Sequence, residues 1–219
     1  PHIHEGKCAM AVQERTGRST GSPRPESPVP AAPRREASAA GTEAGFGASQ
    51  AGRLLAVLRV ATGLIFLWAF LDKMFALGWA TPSGRGWIEG GSPTAGFLGS
   101  VSVGPFESLF NSWAGAAWTD WLFMLGLLAL GLTLVLGVAL WPVAIAGAVM
   151  LAFMWAAVWP PGRFLSDGSP SGSTNPLVDY HVVYAAVMFV LASTRAGDTW
   201  GLGRLWARIA PVERFPWLR

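Results

Sequence analysis

The chain has one cysteine, three histidines and few charges among its 219 residues, and each shortage excludes something. Cys8 lies near the N-terminus, so the apolar remainder has no thiol for disulfides, thiolate chemistry or cysteine-bound metal clusters. His2 and His4 are N-terminal too. That leaves His181 as the single histidine of the apolar part and excludes a bis-histidine haem within one chain. There is no CxxCH, and Gly201-Leu202-Gly203 lacks the strand-turn-helix context of a dinucleotide fingerprint. No Ser-His-Asp or zinc-ligand spacing is present. Charged residues make up 13%, about half the share of an ordinary soluble domain. A formal charge of +3 is too small to point to nucleic acid.

Hydrophobic residues are abundant, at 52%, and unevenly placed. Residues 1–48 are rich in Pro, Ala, Gly, Ser, Glu and Arg. Such a stretch buries too little apolar surface to offset its ordering entropy and reads as a disordered tail. Met10 reads as the start of translation, and residues 1–9 carry no argument. Arg34-Arg35 is no twin-arginine signal, because eighteen residues separate it from the apolar run at Leu54. That run is too long for a signal-peptide core and ends in Asp72-Lys73, so it reads as a retained transmembrane helix. Residues 49–206 form the transmembrane domain, and residues 207–219 a cytoplasmic C-terminal tail.

A helix crossing the hydrocarbon core needs about 20 mostly apolar residues. Four runs qualify: Leu54 to Leu77, Trp118 to Leu140, Pro142 to Trp159, and Pro176 to Ser193 with Asn175 as N-cap. Only Gly137 to Trp141 is left for the turn between the second and third, which predicts a tight antiparallel hairpin. Met10 to Arg53 holds six arginines and Arg195 to Arg219 five, against Arg85 and Arg163 in the loops of the other side. By the positive-inside rule both termini are cytoplasmic. The expected fold is an all-α, four-helix membrane bundle. Its tight packing rests on small residues such as Gly126, Gly131, Gly147 and Ala185.

The first outer loop runs for about forty residues. Within it Val103, Phe106, Phe110 and Trp113 recur at helical spacing after Pro105, predicting a short amphipathic helix on the outer face. Trp200 to Ile209, with Arg204 and Arg208 one turn apart, predicts a second on the cytoplasmic side. No repeat of 20–50 residues is present.

Ionisable side chains inside membrane spans are costly and draw attention to function. Here they are Arg59, Asp72, Lys73, Asp120, Asp179 and His181, and all but Arg59 fall at the outer ends of their spans. On a helix, Asp179 and His181 stand about 200° apart, so only one can face the bundle centre. His181 and Tyr184 are placed toward Asp72 or Lys73, with Trp68 one turn inward and Asp179 nearer the loop. A plainer reading stands beside this one. Asp120 and Asp179 suit helix N-termini through the helix dipole, Lys73 snorkels and pairs with Asp72, His181 bonds a loop carbonyl, and Arg59 snorkels to lipid phosphates.

The run Arg59-Val-Ala-Thr-Gly63-Leu-Ile-Phe66-Leu-Trp68-Ala-Phe70-Leu-Asp72-Lys73 resembles the first helix of DoxX/DoxD-type membrane proteins. The loop Gly91-Ser92-Pro93-Thr94-Ala-Gly96-Phe97-Leu98 and the entry Val178-Asp179-Tyr180-His181-Val-Val-Tyr184-Ala185 agree with that family. The resemblance covers about residues 53–206. It implies a membrane subunit linked to quinone, as in archaeal thiosulfate:quinone oxidoreductase, where a DoxD-type subunit works with a small DoxA partner. The Ala-, Gly-, Arg- and Trp-rich, Lys-poor composition points to the plasma membrane of a high-GC bacterium. Carried over by position, His181, Asp72 and Asp179 would handle protons. Lys73, Tyr184, Trp68 and Arg59 would bind quinone or an anionic substrate, with no metal involved. Many relatives have no assigned chemistry, so a non-catalytic partner that docks another redox enzyme is the alternative.

Overall fold

The computed structural model describes residues 37–218; the part of the expected tail at residues 1–36, and Arg219, lie outside the described residues. The helices are α1 (Ala37–Phe75), α2 (Ala95–Gly99), α3 (Glu107–Trp113), α4 (Ala117–Leu136), α5 (Leu140–Val158), α6 (Tyr180–Ser193), α7 (Gly203–Trp206) and α8 (Ala210–Arg214). Among the described residues there is no strand, only an isolated bridge between Phe164 and Pro170. α1 begins inside the segment that composition assigns to the tail.

Three helical stretches are long and apolar enough to cross a membrane: Ser49–Phe75 of α1, α4 and α5. Leu and Ala dominate them, and each stops at a recognisable break. α4 ends on Gly137, whose positive φ of 74° lets its N–H return to the Thr133 carbonyl. α5 ends at Trp159, just before Pro160-Pro161, which cannot continue a helix. Buried residues make up only 33%, 39% and 28% of the most apolar windows of these three stretches. The remaining side chains, among them Leu64, Ile65, Leu122, Leu125, Ile145, Val149 and Phe153, face outward. An apolar surface of that extent needs an apolar surrounding, and with the helix lengths it marks a membrane protein.

Small residues set the helix pairing. A Cβ on Gly63 would come within 2.9 Å of Leu134 and Val135, and one on Gly131 within 2.7 Å of the Leu67 backbone. Residues 63 and 67 therefore meet 134 and 131, so α1 and α4 run antiparallel in close contact. Gly126 meets Met150 and Gly147 meets Leu130, which makes α4–α5 antiparallel as well, and Gly147 also meets Met188 of α6. The α4–α5 hairpin turns through Gly137 to Ala139, within the span expected for it. The core between the helices is built from Phe66, Phe70, Met124, Leu127, Leu130 and Leu134, with Leu151, Met188 and Leu191 from the second pair.

Two segments depart from expectation. The last long helix begins at Tyr180 with Asp179 as N-cap, not at Pro176 with Asn175. Asn175 instead folds its own turn, its Oδ1 accepting the N–H groups of Leu177 and Val178. With 14 residues, α6 is about 21 Å long, short of the roughly 30 Å hydrocarbon core. Beyond it, Trp200 to Ile209 forms no continuous amphipathic helix. Glycines 201 and 203 and Pro211 divide the region into the short α7 and α8 and a turn at Pro216–Leu218. The first loop does contain the predicted helix, α3, with Phe110 buried against Val101 and Ala157. It also holds α2, which the sequence pattern did not suggest.

Replacing Gly131 by leucine should lower the thermal midpoint of the detergent-solubilised protein, at a cost of about 1–3 kcal/mol from forcing α1 off α4. Gly96→Ala, whose Cβ would meet nothing within 4 Å, is the control and should leave the midpoint unchanged.

Candidate functional site

The two ends of the helix assembly treat ionisable residues differently. At one end the α1 arginine, Arg59, is fully buried, at 0% exposure. Its Nε donates to the Ala196 carbonyl at 3.2 Å, and Nη1 donates to the carbonyls of Leu134 and, at 2.7 Å, Val135. Nη2 reaches the carbonyls of Trp200 at 3.0 Å and Thr199 at 3.4 Å. Leu134 and Val135 lie in the last turn of α4, where carbonyls lack helical partners and the helix dipole is negative. The guanidinium is a rigid fork of five N–H donors and suits several carbonyls at once. Space for it is left by glycine: a Cβ on Gly137 would lie 2.9 Å from Nη1, and one on Gly201 3.0 Å from Nη2. Arg59 therefore does not snorkel to lipid phosphates. Its donors are taken up by backbone, which also leaves it no free N–H for quinone or substrate.

At the other end, two carboxylates fasten loops. Asp72 is 1% exposed and accepts the N–H groups of Trp79 (3.2 Å), Ala80 (3.0 Å) and Thr81 (2.8 Å), folding the chain back where α1 ends. The expected Asp72–Lys73 ion pair does not form, because that carboxylate is already committed to backbone. Asp120, in the first turn of α4, accepts Ser92 Oγ (2.9 Å), Thr94 N–H (3.0 Å) and Thr94 Oγ1 (2.6 Å), all at Oδ1. Trp68 is 47% exposed and meets Trp79 edge-on at 6.0 Å, so it faces away from the interior.

The third carboxylate is used otherwise. Asp179 has extended backbone, φ −116° and ψ −172°, and precedes the helix. Its Oδ1 accepts the N–H groups of His181 (3.0 Å) and Val182 (3.3 Å), while Oδ2 lies 2.7 Å from His181 Nδ1. The two side chains thus meet directly. The 200° separation expected between them applies only if both are helical, and the N-cap is not. An ionised carboxylate has no hydrogen to give, so Nδ1 carries a proton, and in the neutral ring Nε2 is then the acceptor. The imidazole is 1% exposed, and its buried Nε2 has no hydrogen-bond partner among the described residues. The Tyr180 ring lies 4.0 Å from the imidazole, centroid to centroid, and is 59% exposed. Tyr184 packs between Tyr180, at 6.2 Å, and Phe66, at 6.3 Å.

No family model, curated protein or solved structure matches this chain. The reading of its site therefore rests on geometry and on the residues themselves.

Of the seven residues singled out in the sequence, the structure joins Asp179 to His181 and sets Tyr184 beside them through Tyr180. Among the described residues no hydrogen bond or ion pair ties His181 to Asp72 or Lys73. Tyr180 was missed, since as the exposed residue beside a buried one it breaks no pattern. The arrangement that remains is an oriented imidazole with one open nitrogen, able to accept a proton or, once protonated, to donate one.

The carbonyl cradle makes a separate prediction. Both Arg59→Lys and Arg59→Met should lose about 3–5 kcal/mol of stability, read as reduced folded yield and a lower denaturation midpoint in detergent. A lysine variant as stable as wild type would show that the fork geometry is not required.

Proposed function

We propose that this chain is a four-span membrane subunit of a quinone-linked redox system, in which the Asp179–His181 pair moves the proton that accompanies quinone reduction. One observation carries the reading: a buried imidazole fixed through Nδ1 to a carboxylate while Nε2 has no hydrogen-bond partner among the described residues. Leaving such an atom unpaired costs about 1–3 kcal/mol, which favours a role at that nitrogen. Tyr180 is exposed and lies over the ring, so a rotamer change there opens the way to Nε2. A protonated Nε2 would donate to a quinone oxygen as it gains electrons, and Asp179 would stabilise the imidazolium.

The wider setting follows from the sequence. Arginine bias supports cytoplasmic termini and an outer location for His181 in a bacterial plasma membrane. α6 is the fourth crossing; its entry is held to α5 by the Trp155 indole, which donates to the Leu177 carbonyl at 3.2 Å. The resemblance to DoxX/DoxD proteins suggests thiosulfate as reductant. Two thiosulfates give tetrathionate and two electrons, and quinone takes those electrons with two protons to become quinol. The electron path would then lie with a DoxA-like or other redox partner.

A second reading has its own support. Asp72, Asp120 and Arg59 are each engaged by backbone or loop hydroxyls. This economy of free chemistry favours a non-catalytic subunit that docks a redox enzyme.

The deciding experiment is thiosulfate-dependent reduction of a menaquinone analogue by membranes holding the chain and its native partners. His181→Ala should lower the rate about 100-fold or more. Asp179→Asn should lower it too, although asparagine caps a helix as well as aspartate does, so a loss there reports on the charge and not on the cap. An inactive wild type, or a His181→Ala variant with full activity, would abandon the proton role and leave the docking reading.

A further inference from the structure

A second feature near the His181 end is independent of that pair. The Trp87–Glu89 turn and the start of α4 enclose an open cleft of about 290 Å³. Trp87 and Trp121 form one corner, their rings 4.6 Å apart at 75°. Asp120 and Ser92 line it, together with the glycines at 90 and 91. Asp120 is 6% exposed, and among the described residues no cation pairs with it. All three of its hydrogen bonds arrive at Oδ1 and none uses Oδ2, and the residue lines the cleft.

We propose that this cleft binds an alkylammonium group. A fixed carboxylate supplies the charge, and the two indoles lining the cleft supply aromatic surface that attracts a weakly hydrated cation. No lysine, arginine or histidine lines the cleft, which argues against an anionic ligand. Asp120 is also its single acidic lining residue, whereas calcium takes six to eight oxygen ligands, so a hard metal ion finds too few donors. The volume lies at the small end for ligand pockets and suits a headgroup or small amine. Bonds from Ser92 and Thr94 hold the carboxylate before any ligand arrives, so binding needs little reorganisation.

The ammonium could belong to a lipid headgroup or to a soluble amine, and one experiment separates them. The full chain in maltoside micelles is titrated with choline chloride by calorimetry, with sodium chloride as the control. Wild type should bind choline saturably, and Trp121→Leu should raise the Kd about tenfold. Asp120→Asn should abolish binding, but that carboxylate also holds the loop, so the variant can fail to fold. Trp121→Leu leaves every Asp120 bond in place and carries the test by itself. Absence of saturable binding in wild type, or an unchanged Kd in folded Trp121→Leu, overturns the proposal. The titration is then repeated in nanodiscs. Choline bound in phosphatidylglycerol discs but excluded in phosphatidylcholine discs assigns the site to a lipid headgroup; equal binding in both assigns it to a soluble ammonium compound.

Discussion

A buried guanidinium with no carboxylate partner governs how these helices can be arranged. Arg59 reaches carbonyls from the end of α4 and from the chain that follows α6, so one side chain of α1 fixes three segments at once. Its charge is tolerated because those carbonyls include the negative end of a helix dipole and because each N–H finds an acceptor. The cradle also accounts for the glycines around it. Gly197 and Gly137 pack backbone to backbone, so a side chain on Gly197 would run into the Gly137 carbonyl. Gly201 leaves space for Nη2, and Leu202 N–H bonds the Leu136 carbonyl at 2.8 Å. Gly201 thus makes room for an arginine, and Gly203 for the Gly197 backbone and Asp198, where a dinucleotide fingerprint would hold a phosphate.

The opposite end is fastened differently. Aspartates begin or close helices there, and each uses its oxygens on nearby donors, but the donors differ in kind. Asp72 takes three N–H groups from the loop that follows it, which satisfies the carboxylate and folds the loop in one step. Asp120 takes hydroxyls and an N–H at a single oxygen. Asp179 divides its oxygens between a helix cap and an imidazole. Among the described residues, His181 Nε2 is a buried polar atom without a partner, and none of the three Asp120 bonds uses Oδ2. Structure-building uses most of the polar chemistry of the chain, and any chemistry for a ligand is sought in what is left over.

The membrane-spanning helices were legible from the sequence because an apolar run of sufficient length has few alternatives. The hairpin through Gly137 was legible for the same reason. The Arg59 cradle was not: its acceptors are backbone carbonyls, which leave no mark in side-chain identity, and they come from residues up to 141 positions away. A lone arginine near a span end therefore reads as a snorkelling residue. The Asp179–His181 contact was hidden by a boundary of a few residues. Treating the helix as starting at Pro176 put both side chains on helical geometry and drove them apart, whereas starting it at Tyr180 frees the N-cap to turn back. Polar side chains competing for a helix start explain the slip: Asn175 followed by proline is a good local signal, yet its Oδ1 closes a tighter turn with Leu177 and Val178.

That boundary has a consequence for chemistry. If Asp179 were helical, His181 would be free to choose its tautomer, and a loop carbonyl would serve it as well as a carboxylate. With Asp179 as N-cap, the residue that starts the helix also fixes the histidine, so helix initiation and imidazole orientation cannot be separated by small shifts of the loop. The imidazole then sits at the head of α6, above Met188 and Leu191, which anchor that helix in the core. Rigidity of this kind is what a proton-transferring group requires, because transfer depends on a donor–acceptor distance held within a few tenths of an ångström of a hydrogen bond. The carboxylate that caps the helix thus also holds the imidazole in one orientation, whatever that ring does chemically.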